Sequence, residues 1–236
     1  VMHINADGSV GSIADEVFHK GMGSVAERNF RPHVSNTCFT PDEELLCACD
    51  LGIDQIKLYE FNHRTGKLKL FDIIRSQQES APRKMIFSED GKYAYVVCEL
   101  KNYINVYSYD KNSDKARFEM IQNIFTVRRD HKSNSAASDI IFANNGSNLI
   151  CSNAGDNTAT IYSVDKKSGK IVTLNSLPVS GDYPKCLFPD NKHLMSMNNE
   201  GSSITIFTVD YKKGLIVMNG KEIKISRPNN MVIKKL

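Results

Sequence analysis

The chain contains no tryptophan. The Trp-Asp dipeptide of WD-type repeats therefore cannot occur, and that common class of interaction scaffold is disfavoured. No apolar run comes near the roughly 18 residues that a membrane-crossing helix needs. No charge of one sign dominates: Lys plus Arg number 30 against 27 Asp plus Glu, and a net +3 is too weak to track a phosphate backbone. The most basic stretch, Arg128-Arg129-Asp130-His131-Lys132, carries its own acid and reads as a solvated loop. Nucleic acid and membrane are thus set aside as partners.

Cysteine is present but not in a metal or disulfide pattern. None of the six forms a Cys-x-x-Cys pair, and Cys47 and Cys49 lie two apart on one expected strand, hence on one face. That spacing suits buried free thiols in a reducing compartment, so a cytoplasmic location is expected. Neither a nucleophile triad, a glycine-rich phosphate loop nor a spaced metal-ligand set can be picked out, and no cofactor is implied. No stretch carries a sustained helical stripe; the best candidate, Ser12 to Lys20, is short.

What the sequence has is repetition. Ala81 to Tyr109 reads as three consecutive antiparallel strands: Met85 to Phe87, Lys92 to Cys98 and Tyr103 to Tyr109. Alternation of period two marks half-buried strands, and the Glu89-Asp90-Gly91 turn between two such runs is a hairpin signal. The pattern recurs. Phe39, Phe87, Phe142 and Phe188 are each followed by a turn-rich segment (TPDE, SEDG, ANNG, PDN). Each then leads to an aromatic, Tyr59, Tyr107, Tyr162 or Phe207, after 20, 20, 20 and 19 residues. A polar turn and a fourth strand follow.

Four short strands per unit, repeated about every 45–50 residues, describe the blade of a β-propeller. The expected fold is all-β, a propeller of four-stranded antiparallel blades in one domain over 1–236. The units fall near 33–74, 82–124, 138–178 and 184–222, with partial units at 1–20 and 228–236. The first segment resembles the last two strands of a blade and the last segment only a first strand. A ring that closes therefore calls for further blades, roughly two, ahead of Val1. The repeated aromatics are expected between blades. The long polar segment from Phe18 to Val34 exceeds an ordinary blade connection, and such loops are often functional.

In each blade the start of the first strand and the end of the second lie on the same face. His33, Arg83, Asp139 and Lys185 hold the first position; Asp50, Glu99, Asn153, Asn198 and Asn199 hold the second. Such positions are expected to line the mouth of a central channel.

Several stretches carry a family likeness: RPHVSNTCFTPDEELLCACDLGIDQIKLYEF at 31–61, APRKMIFSEDGKYAYVVCEL at 81–100, NLICSNAGDNTATIYSVDKKSGKI at 148–171 and YPKCLFPDNKHLMSMNNEGSSITIFTVD at 183–210. They resemble the lactonase family of seven-bladed β-propellers, which includes 6-phosphogluconolactonases and fungal carboxy-muconate cyclases. The resemblance implies hydrolysis of a sugar lactone, with or without a phosphate, in the pentose phosphate route. It maps the catalytic His, Arg and Glu of the family's cleft onto His33, Arg83 and Glu99, while Lys185, Asn153, Asn198 and Asp50 are substrate-binding candidates from their position at the strand ends. Lactone hydrolysis needs a base for water and a cation or donor for the oxyanion, and Arg suits a bound anion better than Lys.

Plainer readings exist for each. His33 can be a loop histidine, Arg83 and Glu99 a structural ion pair, Asp50 a turn-former holding backbone N–H groups, and Asp139 a tie between blades. The sequence also departs from the family pattern. Ala154 and Lys185 stand where arginines are common, and Ser35-Asn36 where a second His is common. A carboxy-muconate cycloisomerase and a non-catalytic binding propeller are the alternatives, and the oligomeric state is left open.

Overall fold

The computed structural model describes every residue except 25–28, 114–116, 132–133 and 233–236. The described residues contain no helix; the structure is built from strands alone. It divides into two compact units, Val1–Met85 and Ile86–Leu236, with the division inside one strand, β7.

Unit 1 begins with a short antiparallel pair, β1 (Met2–Ile4) and β2 (Val10–Ile13). After a long connection comes a four-stranded antiparallel sheet in chain order: β3 (Val34–Phe39), β4 (Leu45–Asp50), β5 (Gln55–Asn62) and β6 (Lys67–Arg75). A second sheet runs β7 (Pro82–Phe87), β8 (Tyr93–Cys98), β9 (Tyr103–Tyr109), β10 (Phe118–Phe125). A third runs β11 (Ala136–Ala143), β12 (Asn148–Ala154), β13 (Thr158–Val164), β14 (Ile171–Pro178). The last holds β15 (Pro184–Pro189), β16 (His193–Asn198), β17 (Ser203–Asp210) and β18 (Leu215–Met218). There the outermost position changes hands: β18 pairs with the far half of β17, and β19 (Ile223–Lys224) pairs with Ser203 and Ile204. The strand expected within 228–236 is not formed over 228–232, and its remainder lies outside the described residues.

Burial follows strand order. Every residue of β12 is buried, because both of its faces are covered, whereas the outermost β14 buries only Ile171. On β12, Leu149 and Cys151 enter a cluster with Tyr95, Val97, Ile104 and Tyr162, while the intervening Ile150 joins Leu187, Leu194 and Phe207 on the other side. Period-two alternation thus feeds two apolar layers, one on each side of the sheet. Tyr162 and Phe207 lie in these layers, at 0% and 2% exposure, and Tyr107 is buried to 4%. In unit 1 the equivalent Tyr59 is buried at 5% exposure.

Three local devices recur. The hairpin after the first strand is closed by a hydroxyl two residues before an Asp: Thr40 donates to Asp42 and Ser88 to Asp90, at 2.6 and 2.7 Å. The turn before each third strand ends in a left-handed residue, Asp54, Asn102, Asn157 or Ser202, with φ between 46° and 56°. Asn and Asp tolerate that region better than other L-residues. Finally, three of the first strands, β3, β11 and β15, are bulged near their starts. The register slips between Val34 and Asn36, between Ala137 and Asp139, and between Pro184 and Cys186. No helix of the described residues is long and apolar enough to cross a membrane.

Candidate active site

The bulges place the chemistry-bearing residues. A bulge redirects one side chain out of the alternation, and in β15 that residue is Lys185, whose ammonium lies 5.7 Å from the centre of the Tyr183 ring. Arg83, like Lys185, is the second residue of its strand and follows a proline. The residue before that proline is left-handed in both cases, Ala81 at φ 54° and Tyr183 at φ 60°. Proline disfavours compact conformations in the residue before it, so each site needs an anchor. Asp54 supplies one by accepting from the Ala81 and Glu79 amides, both at 2.8 Å. Asn157 supplies the other, accepting from the Tyr183 amide at 2.9 Å.

The Arg83 backbone is also held from the preceding sheet. Ser35 donates to the Arg83 carbonyl at 2.6 Å, and Asn36 accepts from the Met85 amide at 3.1 Å. The third sheet repeats the clamp on the fourth: Ser138 donates to the Pro184 carbonyl and Asp139 accepts from the Leu187 amide at 2.9 Å. Asp139 is 4% exposed and joins the two first strands rather than facing a ligand.

His33 lies immediately before β3 and is exposed. Its amide donates to Asp50 Oδ1 at 2.7 Å and its carbonyl accepts from Leu51 at 3.1 Å. Asp50, the last residue of β4, is fully buried and its carboxylate is taken up internally. Oδ1 also accepts from the Gly52 amide at 3.0 Å, and Oδ2 lies 2.6 Å from His19 Nδ1. The other ring nitrogen of His19 meets the Tyr59 hydroxyl at 3.0 Å. Burial, and then the Asp50 charge, raise the Tyr59 phenol above its ordinary pKa. The expected substrate-binding role of Asp50 gives way to a structural one, because no face of its carboxylate is open to a ligand. His19 is the residue that the sequence reading missed. It sits in the long polar connection that had been singled out only as a whole.

Glu99 directly follows β8 and is buried to 2% exposure; its carbonyl accepts from Ala137 at 3.1 Å. Arg83 is the second residue of β7 and Glu99 the first after β8, so strand polarity sets both at the same end of one antiparallel sheet. Asn153, next to last in β12, and Asn198, last in β16, are fully buried. Asn153 Nδ2 bonds the Thr126 carbonyl at 2.8 Å, Thr158 Oγ1 at 3.0 Å and Thr160 Oγ1 at 3.2 Å. Asn198 bonds Ser203 and Thr205 on the adjacent strand and accepts from Ser196. Both point into the sheet, not toward a ligand. Asn199 bonds the 227–229 backbone and side chain. Ala154 is 1% exposed, so a buried methyl occupies the position noted above for the family's arginine. Among the described residues no three His, Cys, Asp or Glu side chains are grouped to hold a metal.

Repeated four-stranded sheets, sealed by alternate apolar faces and clamped at their first strands, are propeller blades. The chain belongs to the lactonase family of seven-bladed β-propellers: the family model "Lactonase, 7-bladed beta-propeller" matches residues 1–233. An uncharacterized protein of Lactococcus lactis subsp. cremoris is 32% identical over 225 residues, covering 94% of this chain and 64% of that protein. The 6-phosphogluconolactonase of Bacillus subtilis is 28% identical over 230 residues, covering 97% and 64%. Among solved structures, the periplasmic gluconolactonase PpgL of Pseudomonas aeruginosa superposes with a TM-score of 0.89 at 23% identity, covering 97% of this chain and 64% of that one. At that identity the likeness speaks for the fold. The chain spans 64% of the length of the curated relatives it matches here.

Proposed function

We propose that the protein is a lactone hydrolase acting on a sugar lactone of the 6-phosphogluconolactone type, within the pentose phosphate route. The observation that carries this reading is family membership over residues 1–233, alongside 28% identity to a 6-phosphogluconolactonase. In the reaction, water oxygen adds to the lactone carbonyl, the ring C–O bond breaks, and the ring oxygen takes a proton to give an open hydroxy acid. The step needs a base for the water, a cation or donor for the oxyanion, and an acid for the leaving oxygen.

His33, exposed at the start of β3, and Glu99, buried at the end of β8, are the proposed base and acid. Arg83 holds the oxyanion or the substrate's own anionic group, with a planar guanidinium on a backbone pinned by Ser35 and Asn36. Lys185, redirected by its bulge, is the proposed further contact to substrate. Asp50, Asn153 and Asn198 act one layer back, by fixing the backbone that carries these groups. A reducing, cytoplasmic setting belongs to the same proposal, supported by six free cysteines.

The test is acid release from freshly prepared 6-phosphogluconolactone and glucono-lactone, for the protein and for Arg83→Ala and Glu99→Gln. Loss of an oxyanion partner of this kind lowers kcat by about 10²–10³. Absence of turnover on either lactone refutes the function. An undiminished rate in the double variant refutes the site.

A further inference from the structure

Unit 2 contains a cleft of about 420 Å³, lined by none of His33, Arg83, Glu99 or Lys185, though its Thr160 bonds Asn153 at 3.2 Å. One wall is the end of β10 and the segment after it, with Phe125, Val127, Arg128 and Arg129; the other is Thr160 of β13 and Thr173 to Ser176 of β14. Its volume falls in the range of small-molecule sites, about 300–1,000 Å³.

The polar groups of the cleft divide into those the fold consumes and those it does not. Thr160 has a single hydroxyl proton, and the Thr126 carbonyl, which it bonds, can only accept. The Ser176 hydroxyl, 2.8 Å from Thr160 Oγ1, is therefore the donor in that pair. Asn175 uses its Oδ1 to accept from the Ser176 amide at 3.0 Å. Arg128 is forked onto Asp130, at 3.1 and 3.3 Å. Among the described residues this leaves the Arg129 guanidinium, the Thr173 hydroxyl and the Asn175 amide N–H₂ with no partner within the chain. The surplus is one of donors and positive charge. Phe125, 54% exposed, adds an aromatic ring on the same rim. Just behind it, Thr126 is fully buried and its hydroxyl has no partner.

We propose that this cleft is a second binding site, for a small hydroxylated anion: a sugar or polyol carrying one carboxylate or phosphate. Arg129 meets the oxyanion through its planar fork. Asn175 and Thr173 meet hydroxyls, and the apolar C–H face of the sugar lies on Phe125. Neither a neutral sugar nor a bare anion uses the whole set.

Calorimetric titration of the protein with gluconate, glucose 6-phosphate, glucose and inorganic phosphate tests this and separates the two anion sources. At least one of the two sugar anions is expected to bind at least 10-fold more tightly than glucose or phosphate. That affinity falls at least 10-fold in Arg129→Ala and several-fold in Phe125→Ala, and it is unchanged in Arg83→Ala. Arg129 is exposed, so its removal spares the fold, and lactone hydrolysis at the proposed active site is expected to persist in that variant. The proposal is overturned if neither sugar anion binds, if phosphate alone binds as well, or if Arg129→Ala leaves affinity unchanged. It is equally overturned if Arg83→Ala abolishes the binding.

Discussion

Replacing Asp50 separates its hydrogen-bonding capacity from its charge. The carboxylate accepts from two backbone amides, His33 at 2.7 Å and Gly52 at 3.0 Å, and faces His19 Nδ1 at 2.6 Å. Asp50→Ala strands all three partners in a site where Asp50 has no exposure and the His19 side chain has 4%. Each stranded buried group costs about 1–3 kcal/mol. Water can reach the partly exposed His33 amide, so the sum is about 3–5 kcal/mol. Asp50→Asn keeps Oδ1 for the two amides but presents N–H₂ to His19. The imidazole can then take its proton on Nε2, accept at Nδ1 and donate to Tyr59. That variant loses only the charge-assisted part, about 1–2 kcal/mol. It also removes the Asp50 charge that helps raise the Tyr59 phenol, so Tyr59 titrates nearer its ordinary value. Urea unfolding at constant m reads the stabilities, and ¹⁵N shifts of His19 read the tautomer. If Asp50→Ala falls within about 1 kcal/mol of the parent, or Asp50→Asn is as damaging, the network does not hold this loop as described.

Other perturbations follow from the same geometry. At Gly52 a Cβ would stand 1.7 Å from the Arg31 carbonyl oxygen, and at Gly155, already at φ +88°, 2.0 Å from that of Asn134. Alanine at either is expected to cost upward of about 2 kcal/mol, since backbone must move on both sides; a thermal shift under about 2 °C would refute the contact. Burial raises the phenols of Tyr95 and Tyr162 and takes Tyr211 to about 12, where the Asp190 charge adds to it. A raised folded-state pKa gives stability that is whole below about pH 10 and is lost as pH climbs through the folded value. Tyrosinate absorbance from these side chains should therefore appear only together with loss of β-sheet circular dichroism between about pH 10 and 12. Cys38 and Cys47 are cross-strand partners, and the hydrogen bond from Cys47 lowers the Cys38 thiol while the reciprocal interaction and burial raise Cys47. Iodoacetamide should alkylate Cys38 well before Cys47 by peptide mass spectrometry. Equal rates would refute it.

The fold could be read because its signal is periodic. A constant 20-residue interval from Phe39, Phe87 and Phe142 to Tyr59, Tyr107 and Tyr162 fixes two hairpins at once, and a repeated four-stranded sheet maintains it. The candidate site was legible in part. Strand polarity says which end of a strand a residue occupies, so His33, Arg83, Glu99 and Lys185 could be placed at the correct ends. It does not say which way a side chain points when a bulge intervenes. Bulges near the starts of β3, β11 and β15 reset that alternation. Asn153 and Asn198 lie at the ends of second strands, within one residue, yet turn into the sheet, toward threonines of the adjacent strand. His19 was hidden for a different reason. Its partners Asp50 and Tyr59 are 31 and 40 residues away, and nothing periodic connects a loop histidine to them. The left-handed Asp54 and Asn157 left a faint trace, an acid or amide one residue ahead of a third strand.

The Ser35–Asn36 and Ser138–Asp139 clamps bear on how such a chain comes apart. Each satisfies a carbonyl and an amide of the next module's first strand from the module before. Peeling one module from its neighbour thus strands main-chain polar groups in addition to exposing apolar faces. Amide exchange at Met85 and Leu187 should accordingly be slow, and it should quicken at each when the side chain clamping it, Asn36 or Asp139, is cut back to alanine.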